Sequence, residues 1–159
     1  MVKELLLKKK NLWNSGFTLV ELIITIGIIG ILAGSAMIFM NPKLQIDKAQ
    51  DAKRKGDMQK IQAALELYRA DFSQYPTTLP NCNLPITDGA ATPKTYLQQT
   101  PCDPKGASWY NGGRYHYSSN GAIYTITACI ANTTDRTGTT GQPPGGGCSS
   151  NYYFQVRNP

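Results

Sequence analysis

The chain has 159 residues, with 16 Lys and Arg against 10 Asp and Glu, and charged residues make up only 16%. That length suits one domain and not two enzyme lobes, and the charge fraction is well below the usual quarter of a soluble domain. Half of the net +6 sits in residues 1–16, where Lys3, Lys8, Lys9 and Lys10 stand against Glu4. Sequence-independent nucleic-acid binding needs clustered cations that displace counterions. The only other basic run, Lys53-Arg54-Lys55, is flanked by Asp51 and Asp57 and reads as a solvated helix face. No nucleic-acid partner is expected.

From Leu22 to Met40 there is no ionisable side chain. At about 1.5 Å per helical residue the run reaches ~28 Å, close to a bilayer's hydrocarbon core. A secretory signal would have a shorter apolar stretch and a small-residue cleavage site. Ala33-Gly34-Ser35-Ala36 offers such a site, but the run continues past it to Met40. An ordinary anchor fits the length and leaves Glu21 unexplained, since a carboxylate inside a membrane helix costs on the order of 2.5–3.5 kcal/mol or more.

Gly16-Phe17-Thr18-Leu19-Val20-Glu21, after a short Lys-rich leader and before the apolar run, resembles the processing site of type IV prepilins and type II secretion pseudopilins. The resemblance implies that a membrane-embedded prepilin peptidase cuts between Gly16 and Phe17 and methylates the new amino terminus. Phe17 would then carry a cationic amine, expensive to leave unpaired in lipid. Glu21 of a neighbouring or the same subunit neutralises it, and docking amine on carboxylate sets the axial stagger of a filament.

Gly30 and Gly34 have a spacing that permits close helix approach in lipid. Asn41-Pro42 removes one helical hydrogen bond and biases Asn41 away from α geometry, so a kink is expected at Pro42. Lys43, Lys48, Lys53, Arg54, Lys55 and Lys60 follow the apolar run, so the positive-inside count does not settle orientation. Residues 43–72 read as a second helix. Met58, Ile61, Leu65, Tyr68 and Phe72 form one apolar stripe, and Lys55, Gln59, Gln62, Glu66 and Arg69 face the other way. The stripe begins near Met58, so the head is expected to pack on the last four turns. Asp51 and Lys55 form an i,i+4 pair. The helix should end near Ser73, ahead of Tyr75-Pro76.

Six prolines punctuate residues 76–113, a long loop without period. Strands are expected at Arg114–Ser118, Ala122–Ala131 and Tyr152–Arg157, with Asn120-Gly121 as a tight turn. The lone His116 has no metal or catalytic partner in register. The four cysteines show no metal-ligand spacing and allow three pairings. Cys82–Cys102 and Cys129–Cys148 are favoured because each closes a local loop of about 20 residues, worth ~3 kcal/mol in the chain-entropy model. Disulfides place the head in an oxidising compartment, four reduced buried thiols being the alternative.

Tyr75-Pro76, Tyr96-Leu97, Pro101 and Asp103-Pro104 also look like the major pseudopilin head. In that family the final loop gathers acidic residues around calcium. Here Asn132–Ser150 holds only Asp135, too few carboxylates for that ion, so no metal or cofactor is expected and a disulfide takes the staple's place. The expected fold is α+β: a long N-terminal helix, half membrane-spanning and half amphipathic, on a small antiparallel sheet, as in type IV pilins. Its parts are a leader (1–16), a membrane or filament-core helix (17–40), an amphipathic helix (41–72) and a head (73–159). The head divides into a loop at 73–113, a sheet at 114–131 and 152–157, and a disulfide-bracketed loop at 132–150.

No nucleophile–base pair, phosphate loop or metal constellation is present, so the protein reads as a peptidase substrate and not an enzyme. The resemblance implies a subunit that assembles with its own copies into a type IV pilus-like filament, with a pseudopilin of secretion or DNA uptake as the alternative. A membrane-tethered binding module is a more remote reading. The implied partners are the membrane, the prepilin peptidase, an assembly platform and minor pilins. The subunit would wait in the inner membrane with its head outside the cytoplasm, and then enter an extracellular fibre.

Overall fold

A computed structural model describes residues 16–39 and 41–158. The expected leader up to residue 15 and the expected end of the membrane segment at Met40 lie outside the described residues. The chain divides into two units after Pro42.

In the first unit, helix α1 spans Leu19–Phe39. Thr18 starts it: its Oγ1 accepts the Glu21 N–H at 3.1 Å, and its carbonyl accepts the Leu22 N–H. The Thr-x-x-Glu spacing is that of a capping box. Inside the helix, the Thr25 and Ser35 hydroxyls donate to the Leu22 and Leu32 carbonyls, so neither is left seeking water.

Helix α2, Pro42–Phe72, starts at the boundary, and all but its first residue belongs to the second unit. Proline suits the first helical position because its missing N–H is not needed there. At the far end Ser73 turns to φ +57, the left-handed geometry that closes helices. The head then forms two antiparallel sheets. Strands β1 (Ile86–Thr87) and β2 (Thr95–Leu97) pair with each other. Strands β3 (His116–Ser119), β4 (Tyr124–Cys129), β5 (Thr139–Thr140) and β6 (Tyr152–Arg157) form a sheet in the order β3-β4-β6-β5.

The strand pairing corrects the reading of residues 76–113 as one loop, because β1 and β2 lie inside it. β3 begins at His116 and not Arg114, and β4 is shorter than Ala122–Ala131 at both ends. β5 lies inside the 132–150 segment and adds an edge strand through Thr139↔Tyr153 and Thr140↔Tyr152. At the β3–β4 turn, Asn120 Oδ1 accepts the N–H groups of Ala122 and Ile123, and Gly121 takes φ +87.

Met58, Ile61, Ala64 and Leu65 of α2 pack against Tyr75, Ile86, Tyr115, Tyr124, Ile126 and Ala128. Alternate residues of β4 thus cover the helical stripe, and each fully buried Ile or Leu contributes about 1.5–3 kcal/mol. The Tyr75 and Tyr124 rings meet edge to face at 4.6 Å. Both hydroxyls donate to Glu66, and Arg69 donates to Tyr75 Oη. Glu66 and Arg69, expected to face away from the head, therefore bind it at their tips.

Candidate functional site

Three residues carry the expected processing and docking chemistry, and all lie at the start of α1. Gly16 is exposed, with open space where a Cβ would stand. Phe17 is 81% exposed, and Glu21 is exposed in the first turn of the helix. Beyond Glu21, Leu22, Ile23, Ile24, Ile26, Ile28 and Ile29 are exposed as well. These positions point all round the helix, so no single face of α1 is its packing face. Leu19–Ala36 has a mean hydropathy of 2.2, long and apolar enough to cross a membrane. Asn41 is non-helical between the helices, and Pro42 opens α2.

The second constellation was not expected. Asp51, Arg54 and Asp57 are buried on α2, which overturns the reading of Lys53-Arg54-Lys55 as wholly solvated. Arg54 is 0% exposed. Its Nε and Nη2 donate to the two carboxylate oxygens of Asp103 at 2.7 and 2.8 Å. Its Nη1 donates to Asp51 at 2.6 Å. Burial alone would lower the guanidinium's pKa, but the Asp103 and Asp51 bonds and charges hold it above its ordinary value.

Asp51 also accepts the backbone N–H groups of Ala131 and Asn132, just past Cys129. Asp103 follows Cys102 directly. Trp109 lies under both Arg54 and Lys105, and its indole N–H donates to the Cys129 carbonyl. Lys105 reaches back to Asp47. Arg54 thus ties α2 to chain beside both cysteine pairs. Asp51 pairs with Arg54 and not, as expected, with Lys55.

The structure bonds Cys82 to Cys102 and Cys129 to Cys148, with Cα separations of 5.0 and 5.5 Å. Among the described residues no cysteine is free and no three His, Cys, Asp or Glu side chains converge on a point that would hold a metal. The loop after Cys129 does not fit calcium. Its one carboxylate, Asp135, takes the Lys55 ammonium on one oxygen and the Thr137 N–H and hydroxyl on the other. A cation already stands there. Close packing also holds the loop: a Cβ at Gly138 would meet Tyr152 at 2.2 Å, and one at Gly145 would meet His116 at 2.6 Å.

The Asp135 carboxyl titrates at about 2, held down first by the Lys55 bond and then by the Thr137 N–H. An unfolded Asp protonates near 3.9. The unfolded chain therefore binds the proton first, and the pair's contribution is complete above that value and lost as pH falls toward 2. Urea midpoints measured from pH 5 to pH 2 should decline, and Asp135→Asn should flatten that decline. An equally steep decline in the variant would assign it to other carboxylates.

A cleft of about 270 Å³ is lined in part by Thr77, Thr100, Arg114, His116 and Tyr117. Burial lowers the His116 pKa, and the Tyr117 hydroxyl, pushed up to about 12 by burial, donates to the Pro76 carbonyl. His116 and Tyr117 are packing groups here, and Arg114 donates to Asn81 Oδ1. Arg54, Asp51 and Asp103 were the residues that sequence reasoning missed, although a signal exists. Positions 47, 51, 54, 58, 61 and 65 continue one helical stripe at steps of three and four, and its first three members are charged.

Residues 43–144 match the family described as type II secretion system (T2SS), protein G. Residues 14–37 match the prokaryotic N-terminal methylation motif. Curated relatives that carry the name type II secretion system core protein G include three from different bacteria. The one from Pseudomonas aeruginosa is 33% identical over 58% of this chain and 69% of its own length. The one from Klebsiella michiganensis is 34% identical over 59% and 70%. The one from Vibrio cholerae is 33% identical over 74% and 80%. No solved structure matches.

Proposed function

The chain belongs to the family of type II secretion system protein G, and from that premise we propose that it is a pseudopilin, a non-enzymatic subunit of a secretion filament. The pilus reading, placed first on the sequence alone, yields to this one because the relatives are named for secretion. The observation that carries the proposal is the methylation motif seated on a helix exposed on every side. Such a helix is costly in water and stable in lipid or among copies of itself.

The subunit is made as a precursor and held in the inner membrane by α1, with its disulfide-bonded head outside the cytoplasm. A prepilin peptidase cuts between Gly16 and Phe17 and methylates Phe17. The freed amine then docks on Glu21 as the subunit joins a filament of its own copies, with minor pilins and an assembly platform as further partners. Deleting the gene should abolish type II protein secretion and leave any long surface pili in place. Loss of surface pili with normal export would reverse the assignment.

A further inference from the structure

The sequence of residues 43–60 mixes signs, but the folded helix separates them. Asp47, Asp51 and Asp57 are drawn toward the head, where they bind Lys105, Arg54 and Tyr115. Lys55 is taken by Asp135, and Lys60 leans back on Asp57. What remains outward is Lys43, Lys48 and Lys53, all exposed and without an ion pair among the described residues. No exposed carboxylate accompanies them on this stretch of α2.

These lysines begin directly after the helix that is long and apolar enough to cross a membrane. Lys48 stands about 7.5 Å and Lys53 about 15 Å from Lys43 along the axis of α2. The Debye length at physiological salt is about 8 Å. Lys43 and Lys48, five positions and so about 140° apart around the axis, both lie within that distance of a headgroup layer that meets the start of α2, and Lys53 lies at its margin. Cations beside a membrane span are each worth about a fivefold gain in affinity for an anionic leaflet.

We infer that Lys43 and Lys48 form a binding site for the headgroups of anionic phospholipids on the leaflet that faces the head. The inference rests on the membrane reading of α1. Bound lipid would hold the waiting subunit at a fixed depth, and those contacts must be given up when the subunit leaves for the filament. Because Asp47, Asp51 and Asp57 must first be claimed by the head, the site's charge is complete only in a folded subunit.

The test places the full chain in phosphatidylcholine vesicles with spin-labelled phosphatidylglycerol or spin-labelled phosphatidylcholine, and EPR reads the fraction of each held at the protein. Phosphatidylglycerol should be preferred. Lys43→Gln and Lys48→Gln should each lower that preference about fivefold, added salt should lower it as well, and Lys60→Gln should leave it unchanged. Equal retention of both lipids by the unaltered chain, or an equal loss with Lys60→Gln, would overturn the site. Variants that keep the preference but lose self-association would assign the lysines to a second copy and likewise overturn it. Release of the chain by a carbonate wash would instead contradict the membrane reading beneath it.

Discussion

Arg54→Met is expected to destabilise the head by about 3–5 kcal/mol, since it removes the cation between two carboxylates that stay buried. The Asp51 and Asp103 side chains are only 3% and 1% exposed, so water does not replace the lost partner. A domain of this kind holds about 5–15 kcal/mol in all. The loss should therefore appear as a fall in thermal midpoint of roughly 10 °C or more. Arg54→Lys should recover only part of it, because an ammonium does not reproduce the two parallel bonds to Asp103. Lys53→Met, one position away and exposed, should shift stability by less than about 0.5 kcal/mol. Thermal melts of the three variants check this, and equal midpoints for Arg54→Met and Lys53→Met would show that the Arg54–Asp51–Asp103 cluster does not hold α2 to the head.

Replacing the whole cluster with apolar side chains is not an equivalent solution here. Buried ion pairs are often exchanged for packed hydrophobes without loss. Asp51, however, also accepts the Ala131 and Asn132 N–H groups. An apolar residue would leave those donors buried and unpaired. The carboxylate is needed for the backbone beyond Cys129 as well as for Arg54.

Glu21→Gln should leave cleavage and membrane insertion intact and stop assembly. The substitution keeps the side chain's size and removes its charge, so a lone helix enters lipid at least as readily. On the proposed processing the scissile bond would lie before Phe17, four residues from the carboxylate. An incoming Phe17 amine, though, would be buried beside a neutral amide. Stripping one member from a buried pair costs enough to lower an equilibrium by about two to four orders of magnitude, and in a filament the cost recurs at every subunit. Shear fractionation should find processed subunit in the membrane and almost none in fibres. Fibres at the unaltered level would leave filament growth to apolar helix packing alone.

The long helices and the β4 face were legible because their signals are local and periodic. Leu22–Met40 carries no charge, and Met58, Ile61 and Leu65 recur at helical steps. β1, β2 and β5 were not legible, since two or three residues between prolines and glycines carry no period. The Arg54 cluster was missed for a different reason. Its residues keep the helical stripe's spacing, but a search for apolar side chains passes over Asp47, Asp51 and Arg54. The burial of Asp51 and Arg54 depends on Asp103, 49 positions from Arg54, and on two backbone N–H groups beyond Cys129. Such partners are set by the tertiary fold and not by neighbours in the chain.

The most direct measurement is the mass of the subunit recovered from sheared fibres or from the membrane of secreting cells. A pseudopilin processed at the Gly16–Phe17 bond should give the mass of residues 17–159 plus one methyl, with fragmentation placing the methyl on the Phe17 nitrogen. An assembled subunit that retains Met1, or one that begins at another residue, would contradict processing at Gly16 and with it the docking of Phe17 on Glu21.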